Sequence, residues 1–262
     1  MMPFRFSANT GYLWRELPFL ERIRQAAKYK FDAVEFHDEG QQEDRQALKD
    51  VLAETGLPVT GLNADMGEII GYAAIPGMAE QSKRCIADAI ELAEDIGAGA
   101  IHILSGVVDD PQAHSTYMNA LNFALANTKL TILIEPVCTE QLPGYFLKTV
   151  EQADSIITEI GNLRLKILFD CYHVYRETGF LEDTFKSSAH NIGHVQIAAA
   201  EQRAEPFPGE LNYGHLLPAF QQAGYAGGFG CEYRPRGATQ DGLSWRAELR
   251  HALEIAAPGG PA

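Results

Sequence analysis

Eight short apolar stretches alternate with eight helix-like stretches along this 262-residue chain, and no other feature constrains its fold as tightly. The strand-like stretches are residues 4–9, 32–36, 58–63, 100–104, 130–135, 164–170, 192–198 and 227–232. The helix-like stretches are residues 17–30, 43–56, 78–97, 110–128, 146–161, roughly 172–190, 213–224 and 241–256, with Gly56 and Gly97 placed as stop signals. Strands this short and apolar suit a parallel sheet buried on both faces. Eight such pairs predict an α/β chain forming a single (β/α)8 TIM barrel over residues 1–257, with a frayed tail at 258–262. A doubly wound open sheet usually needs fewer units, and no GxGxxG follows the first strand. No Pro-, Gly- or Ser-rich linker divides the chain, and no fixed-period repeat runs through it.

Charge narrows the range of partners. The formal net charge is −14, from 21 basic and 35 acidic residues. A nucleic-acid duplex or an anionic membrane would be repelled, and the densest basic clusters, around Arg22–Lys30 and Arg234–Arg236, are short. The expected partner is therefore a small molecule, with no nucleic acid and no membrane. Cys85, Cys138, Cys171 and Cys231 lack CxxC spacing and read as reduced core thiols. The opening MMPFRFSANTG does not look like a secretory signal, and no apolar run is long enough to span a bilayer, so the expected location is cytoplasmic. The sequence carries no interface signature and leaves a homo-oligomer open.

Four of the apolar runs end in an oxygen-bearing side chain: KLTILIE at Glu135, LKILFD at Asp170, HVQ at Gln196 and GGFGCE at Glu232. In a parallel barrel all four would point into the C-terminal mouth, where such folds keep their chemistry. A carboxylate at the end of a buried strand is costly unless a cation or hydrogen-bond donors offset it. Three carboxylates and an amide therefore read as a cage for one hard divalent cation, Mg²⁺ or Mn²⁺ rather than Zn²⁺. Ion pairs with Arg or Lys are the competing account, and Gln196 alone would be a satisfied core amide. The first four strand ends are polar too: Asn9, Glu35 with His37, Asn63 and His102. Asn9 and Asn63 taken singly read as turn residues.

Several stretches resemble hydroxypyruvate isomerase: ELPFLERIRQAAKYKFDAVEF (16–36), IEP (134–136), PGYFL (143–147), FDCYH (169–173), GHVQIA (193–198), GELNY (209–213) and EYRPRG (232–237). That family belongs to the xylose-isomerase-like TIM barrels. The resemblance implies a divalent metal held by Glu135, Asp170, Gln196 and Glu232, with Glu135 and Glu232 also handling protons. It implies interconversion of hydroxypyruvate and tartronate semialdehyde, an aldose–ketose isomerisation. The charge on the enediolate formed by proton removal would be met by the cation as a Lewis acid. His173 and Arg203 are candidates to hold substrate oxygens, Arg203 through a guanidinium fork suited to a carboxylate. His102 is a candidate pocket-lining residue. Arg234 reads as a structural partner in its loop, and Tyr12 and Trp14 as candidate pocket walls. Two departures, a short segment before strand five and Cys138 after the EPV, fall in loops that help set substrate choice. The same ligands would serve an isomerase or epimerase of a larger keto-sugar or of 2-oxotetronate. A nuclease of this barrel would need several zinc ions, more histidines and a basic groove. A non-catalytic sugar-acid binder would be expected to have a disrupted ligand set.

Overall fold

The computed structural model describes residues 4–256, so the tail expected at 258–262 lies outside the described residues. Eight parallel strands close into one barrel in sequence order. They are β1 (Phe6–Asn9), β2 (Ala33–Phe36), β3 (Val59–Asn63), β4 (Ala100–His102), β5 (Thr131–Ile134), β6 (Leu165–Asp170), β7 (Ile192–Ile197) and β8 (Phe229–Cys231). The helices around them are α1 (Phe19–Lys28), α2 (Glu39–Gln42), α3 (Arg45–Thr55), α4 (Ala79–Ile96), α5 (Ala113–Asn127), α6 (Val150–Ile160), α7 (Cys171–Thr178), α8 (Leu181–Ser188), α9 (Tyr213–Gln222), α10 (Thr239–Gly242) and α11 (Trp245–Ala256).

The alternation in the sequence thus becomes the expected barrel, and most boundaries fall within one to four residues of the expected ones. Two helices differ. The single helix expected over roughly 172–190 is two, because Gly179 takes a positive φ of 74° and ends α7. The helix expected at 241–256 is also broken, into α10 and α11, and the short α2 has no apolar periodicity to announce it. Local chemistry sets the starts: Asp44 caps α3 by accepting from Ala47 N, and Thr149 caps α6 by accepting from Gln152 N.

Most strand positions and the inward faces of the helices are buried, and the core is aromatic-rich. Phe185 stacks on Phe220 at 3.9 Å, with Phe169 edge-on to both. Each fully buried side chain of this size contributes about 1.5–3 kcal/mol. Trp14, expected as a pocket wall, is instead 1 % exposed and packs on Tyr29 and Phe31 in this core. All four cysteines are buried and free. Among the described residues no helix is long and apolar enough to cross a membrane.

Strand register assembles the mouth. Asn9 lies beside Glu35, Asn63 beside His102, and Asp170 beside Gln196, each pair on neighbouring strands. Because side chains alternate across a strand, this register sends all six to the interior at one end of the barrel.

Candidate active site

Asp170 ends β6 and begins α7, and its two oxygens do different things. Oδ1 caps the helix, accepting from Tyr172 N at 2.7 Å and His173 N at 3.4 Å. Oδ2 accepts from the Arg203 guanidinium at 2.5 Å. The same Nη2 donates to Glu232 Oε1 at 2.8 Å, and Glu232 Oε2 accepts from Asn9 Nδ2 at 2.9 Å. Arg203 is therefore clamped onto two of the strand-end carboxylates, the ion pairing weighed against metal ligation for these residues. Tyr12 and Tyr172 hold its guanidinium between their rings, 4.9 and 5.3 Å from the centroids, and its φ of 55° turns the loop after β7 back over the mouth.

Glu135 is different. It follows β5 directly, is 7 % exposed, and its Oε1 has no hydrogen-bond partner among the described residues. The Nε2 atoms of His102 and His173 lie 3.8 and 3.9 Å from its carboxylate oxygens. Gln196 has the same character: Nε2 donates to Glu35 at 2.8 Å, while the buried Oε1 has no partner. One guanidinium stands among Glu135, Asp170 and Glu232, so negative charge is in surplus. Burial, reinforced by the charges of Glu232 and Asp170, pushes the Glu135 carboxyl well above its usual range. Burial would raise Glu232 as well, but Arg203 and His37 outweigh it and hold that carboxyl low.

His102 and His173 are neutral partners. Burial lowers His173 far below its ordinary value, with the Arg203 charge adding to it, and burial pushes His102 down to about 3. His173 Nδ1 faces the Cys138 main-chain N–H at 3.4 Å and the Cys138 thiol at 3.3 Å. A ring nitrogen that receives a hydrogen bond is the unprotonated one, so the hydrogen of neutral His173 sits on Nε2, facing Glu135 and Asp170. Ligand-capable atoms of Glu135, Asp170 and His173 lie within 4.8 Å of one another. This tautomer makes His173 a donor toward that cluster rather than one of its ligands.

A cavity of about 160 Å³ opens above these groups, walled by Tyr12, His37, Met66, Leu104, Val137 and Leu142, with Glu135, His173, Arg203 and Glu232 on its floor. The structure thus brings six of the seven candidate site residues together, counting Asp170 through its contacts with Arg203 and His173 and His102 through its contact with Glu135. Gln196 and His102 line a smaller cavity inside the barrel, beside Glu35. Arg234 donates its main-chain N–H to Arg203 O at 2.6 Å.

Sequence reasoning gave too little weight to the first strands. Asn9 does accept from Gly11 N in a turn at 3.0 Å, but its amide also joins Glu35 to Glu232, so the turn reading covers half its role. Asn63 likewise serves the site, its Oδ1 lying 3.1 Å from His102 Nδ1. His194 was missed although it stands two residues before Gln196 on the same strand, and so on the same face.

The xylose isomerase-like TIM barrel family matches residues 23–254, and the chain belongs to that family. 2-Oxo-tetronate isomerase of Cupriavidus necator is 38% identical over 252 residues, which span 92% of this chain and 96% of that protein. Hydroxypyruvate isomerase of Escherichia coli is 37% identical over 260 residues, spanning 94% and 99%. A solved structure described as AP endonuclease, family 2 from Brucella melitensis superposes with a TM-score of 0.89 at 32% identity, covering 94% of this chain and 99% of that one. The resemblance read from the sequence motifs is to this same family.

Proposed function

We propose that the chain is a metal-dependent isomerase that interconverts hydroxypyruvate and tartronate semialdehyde. The observation that carries this reading is the surplus of buried carboxylate at the mouth, with Glu135 Oε1 and Gln196 Oε1 both lacking partners. A buried polar atom without a partner is costly, and a cation between such atoms removes that cost. Glu135, Asp170, Gln196 and Glu232 would hold one divalent cation, and their all-oxygen donor set favours Mg²⁺ or Mn²⁺. When bound, the cation supplies positive charge opposite the oxygens of an enediolate.

The chain's own residues do the rest. A carboxylate takes a proton from C3 of hydroxypyruvate, and the C–H electrons become the C2–C3 double bond. The proton then goes back to C2, the hydroxyl proton on O3 passes to O2, and the product carries its carbonyl at C3 and a hydroxyl at C2. Glu135 and Glu232 both line the cavity and form the proton-transfer pair, one toward each face of the substrate. The split in their acidities suits that division, with one group inclined to keep a proton and the other to release it. His173 Nε2–H and the Arg203 guanidinium donate to substrate oxygens, and His102 supports Glu135 from inside the barrel. The cavity is small beside the roughly 300–1,000 Å³ of drug-sized ligand sites, which suits a three- or four-carbon acid.

A second reading, isomerisation of 2-oxo-tetronate, is favoured by one feature. A cleft of about 690 Å³ shares Tyr12, His37 and Met66 with the cavity and adds Arg15 and Arg234 beside Asp38 and an Arg22–Glu39 pair, so a longer acid would have room and, at Arg15 and Arg234, positive charge to meet. The test is turnover of hydroxypyruvate, 2-oxo-tetronate and ketohexoses, each with and without chelator. Chelator-sensitive turnover fastest on hydroxypyruvate is expected. Fastest turnover on 2-oxo-tetronate selects the second reading, and no turnover with Mn²⁺ bound discards both.

A further inference from the structure

Glu35 is a buried carboxylate that the chemistry above does not use. It leaves β2, passes beneath β1 and lies against β8, where a Cβ on Gly230 would come within 2.4 Å of Oε1 and 2.6 Å of Oε2. Only a residue without a side chain leaves that space, so position 230 is shaped to Glu35. Its carboxylate accepts five side-chain donors. Asn9 Nδ2 and Gln196 Nε2 reach Oε1 at 3.2 and 2.8 Å, while Ser7 Oγ, Thr60 Oγ1 and His194 Nε2 reach Oε2 at 2.7, 3.2 and 2.8 Å.

Two of those donors belong to amides whose orientation decides what the mouth presents. A carboxylate can only accept, so the end of Gln196 facing Glu35 must be its NH₂, and the carbonyl oxygen is forced to point away from Glu35. That oxygen is the one buried without a partner. Asn9 is fixed from two sides: its oxygen faces the Gly11 N–H, and its NH₂ spans Glu35 Oε1 and Glu232 Oε2. A free amide has no electrostatic reason to prefer either direction; here Glu35 sets that of Gln196 and, with the Gly11 N–H and Glu232, that of Asn9.

We infer, resting on the cation reading above, that Glu35 is a positioning residue that turns the Gln196 amide so that oxygen rather than NH₂ faces the cation site, and steadies Glu232 through Asn9. Partners of this kind behind metal ligands typically change metal affinity by about 10–100-fold.

The test is titration of the metal-stripped protein with Mn²⁺, followed calorimetrically, with the unfolding midpoint recorded for each variant. In Glu35→Gln the new NH₂ competes with that of Gln196, the Gln196 amide turns over, and Mn²⁺ affinity should fall by about 10–100-fold. The exchange Glu35→Gln with Gln196→Glu is the decisive arm. A carboxylate at 196 offers oxygen at both ends and accepts from the new amide, so affinity should return to within a few-fold of wild type. A merely structural Glu35 would lower the midpoint in Glu35→Gln, leave Mn²⁺ affinity unchanged, and gain nothing from the exchange. Wild type that binds Mn²⁺ while Glu35→Gln binds equally well overturns the inference, as does a folded exchange variant that stays weak. Should Glu35→Gln fail to fold, Gly230→Ala displaces the carboxylate without removing it and should weaken Mn²⁺ binding in the same direction; unchanged affinity there also overturns the inference. Wild type that binds no Mn²⁺ discards the cation reading itself and leaves the Glu35 hydrogen bonds as they are.

Discussion

Glu35 and Glu135 are both buried carboxylates near the same end of one barrel, 4 % and 7 % exposed, yet their surroundings pull them in opposite directions. Burial alone would raise both. At Glu35 the His194 charge and the bonds from His194, Gln196 and Ser7 overcome burial and leave the carboxyl below its usual range. At Glu135 nothing overcomes it; neighbouring carboxylates add to the effect and the group is pushed well above. Around the Glu35 carboxylate the polar network is complete, whereas at Glu135 Oε1 and Gln196 Oε1 it is not. A completed network fixes geometry, and an incomplete one has affinity left for something outside the chain.

The largest effect should come from breaking the incomplete region. Glu135→Gln and Glu232→Gln should each lower turnover on the preferred substrate by at least the roughly 10²–10⁴-fold that a positioned acid–base group supplies, read from steady-state kinetics at saturating Mn²⁺. Near-normal rates in both would remove them from the proton path.

Stability should respond in the opposite order. In the metal-free protein Glu35→Leu leaves five side-chain donors without their Glu35 acceptor and should cost about 3–5 kcal/mol in denaturant unfolding. Glu135→Gln removes a carboxyl with no compensating donor on Oε1, so the metal-free midpoint should stay where it is or rise. If the two variants lose stability equally, the distinction between the regions is wrong.

Titration sharpens the same contrast. Because the Glu135 pKa is raised, the metal-free carboxyl keeps its proton to higher pH than an ordinary glutamate. A cation must displace that proton, so Mn²⁺ affinity should rise with pH up to the raised value, by up to tenfold, about 1.4 kcal/mol, per unit. Calorimetry in buffers of different ionisation enthalpy should count the released protons, and Glu135→Gln should lower that count, leaving the share from Asp170, which burial raises to about 6. An affinity that falls with rising pH would contradict the assignment.

How much of this could be read from the chain depended on whether the signal was local. The barrel was legible because each strand–helix unit carries its own apolar period and stop residue, as Gly97 does for α4. The four strand-end ligand candidates were legible because an acidic or amide group closing an apolar run stands out. Glu35 was noticed only as one polar strand end, since its meaning lies in five donors spread from Ser7 to Gln196. The clamp of Arg203 on Asp170 and Glu232 joins residues 33 and 29 positions apart and depends on the backward turn of the loop after β7. Trp14 was misplaced for a related reason: an aromatic after a strand can face the mouth or the helix layer, and only packing against Tyr29 and Phe31 decides.

The smallest expected effect tests whether an unpaired donor matters as much at the rim as inside. Thr149 caps α6 by accepting from Gln152 N at 3.2 Å, and both residues are part-exposed, close to solvent. In Thr149→Ala that N–H loses its protein partner but can turn to water, so the loss should be about 1 kcal/mol, the usual cost of removing a helix cap. Gln152 also ties back to Lys148 N and Phe146 O, which holds the first turn in place when the hydroxyl is gone. Mn²⁺ affinity should not change, because among the described residues no hydrogen bond joins α6 to the mouth ligands. A loss as large as that from Glu35→Leu would mean that exposure to water does not separate the two regions, and their difference would have to be sought in charge alone.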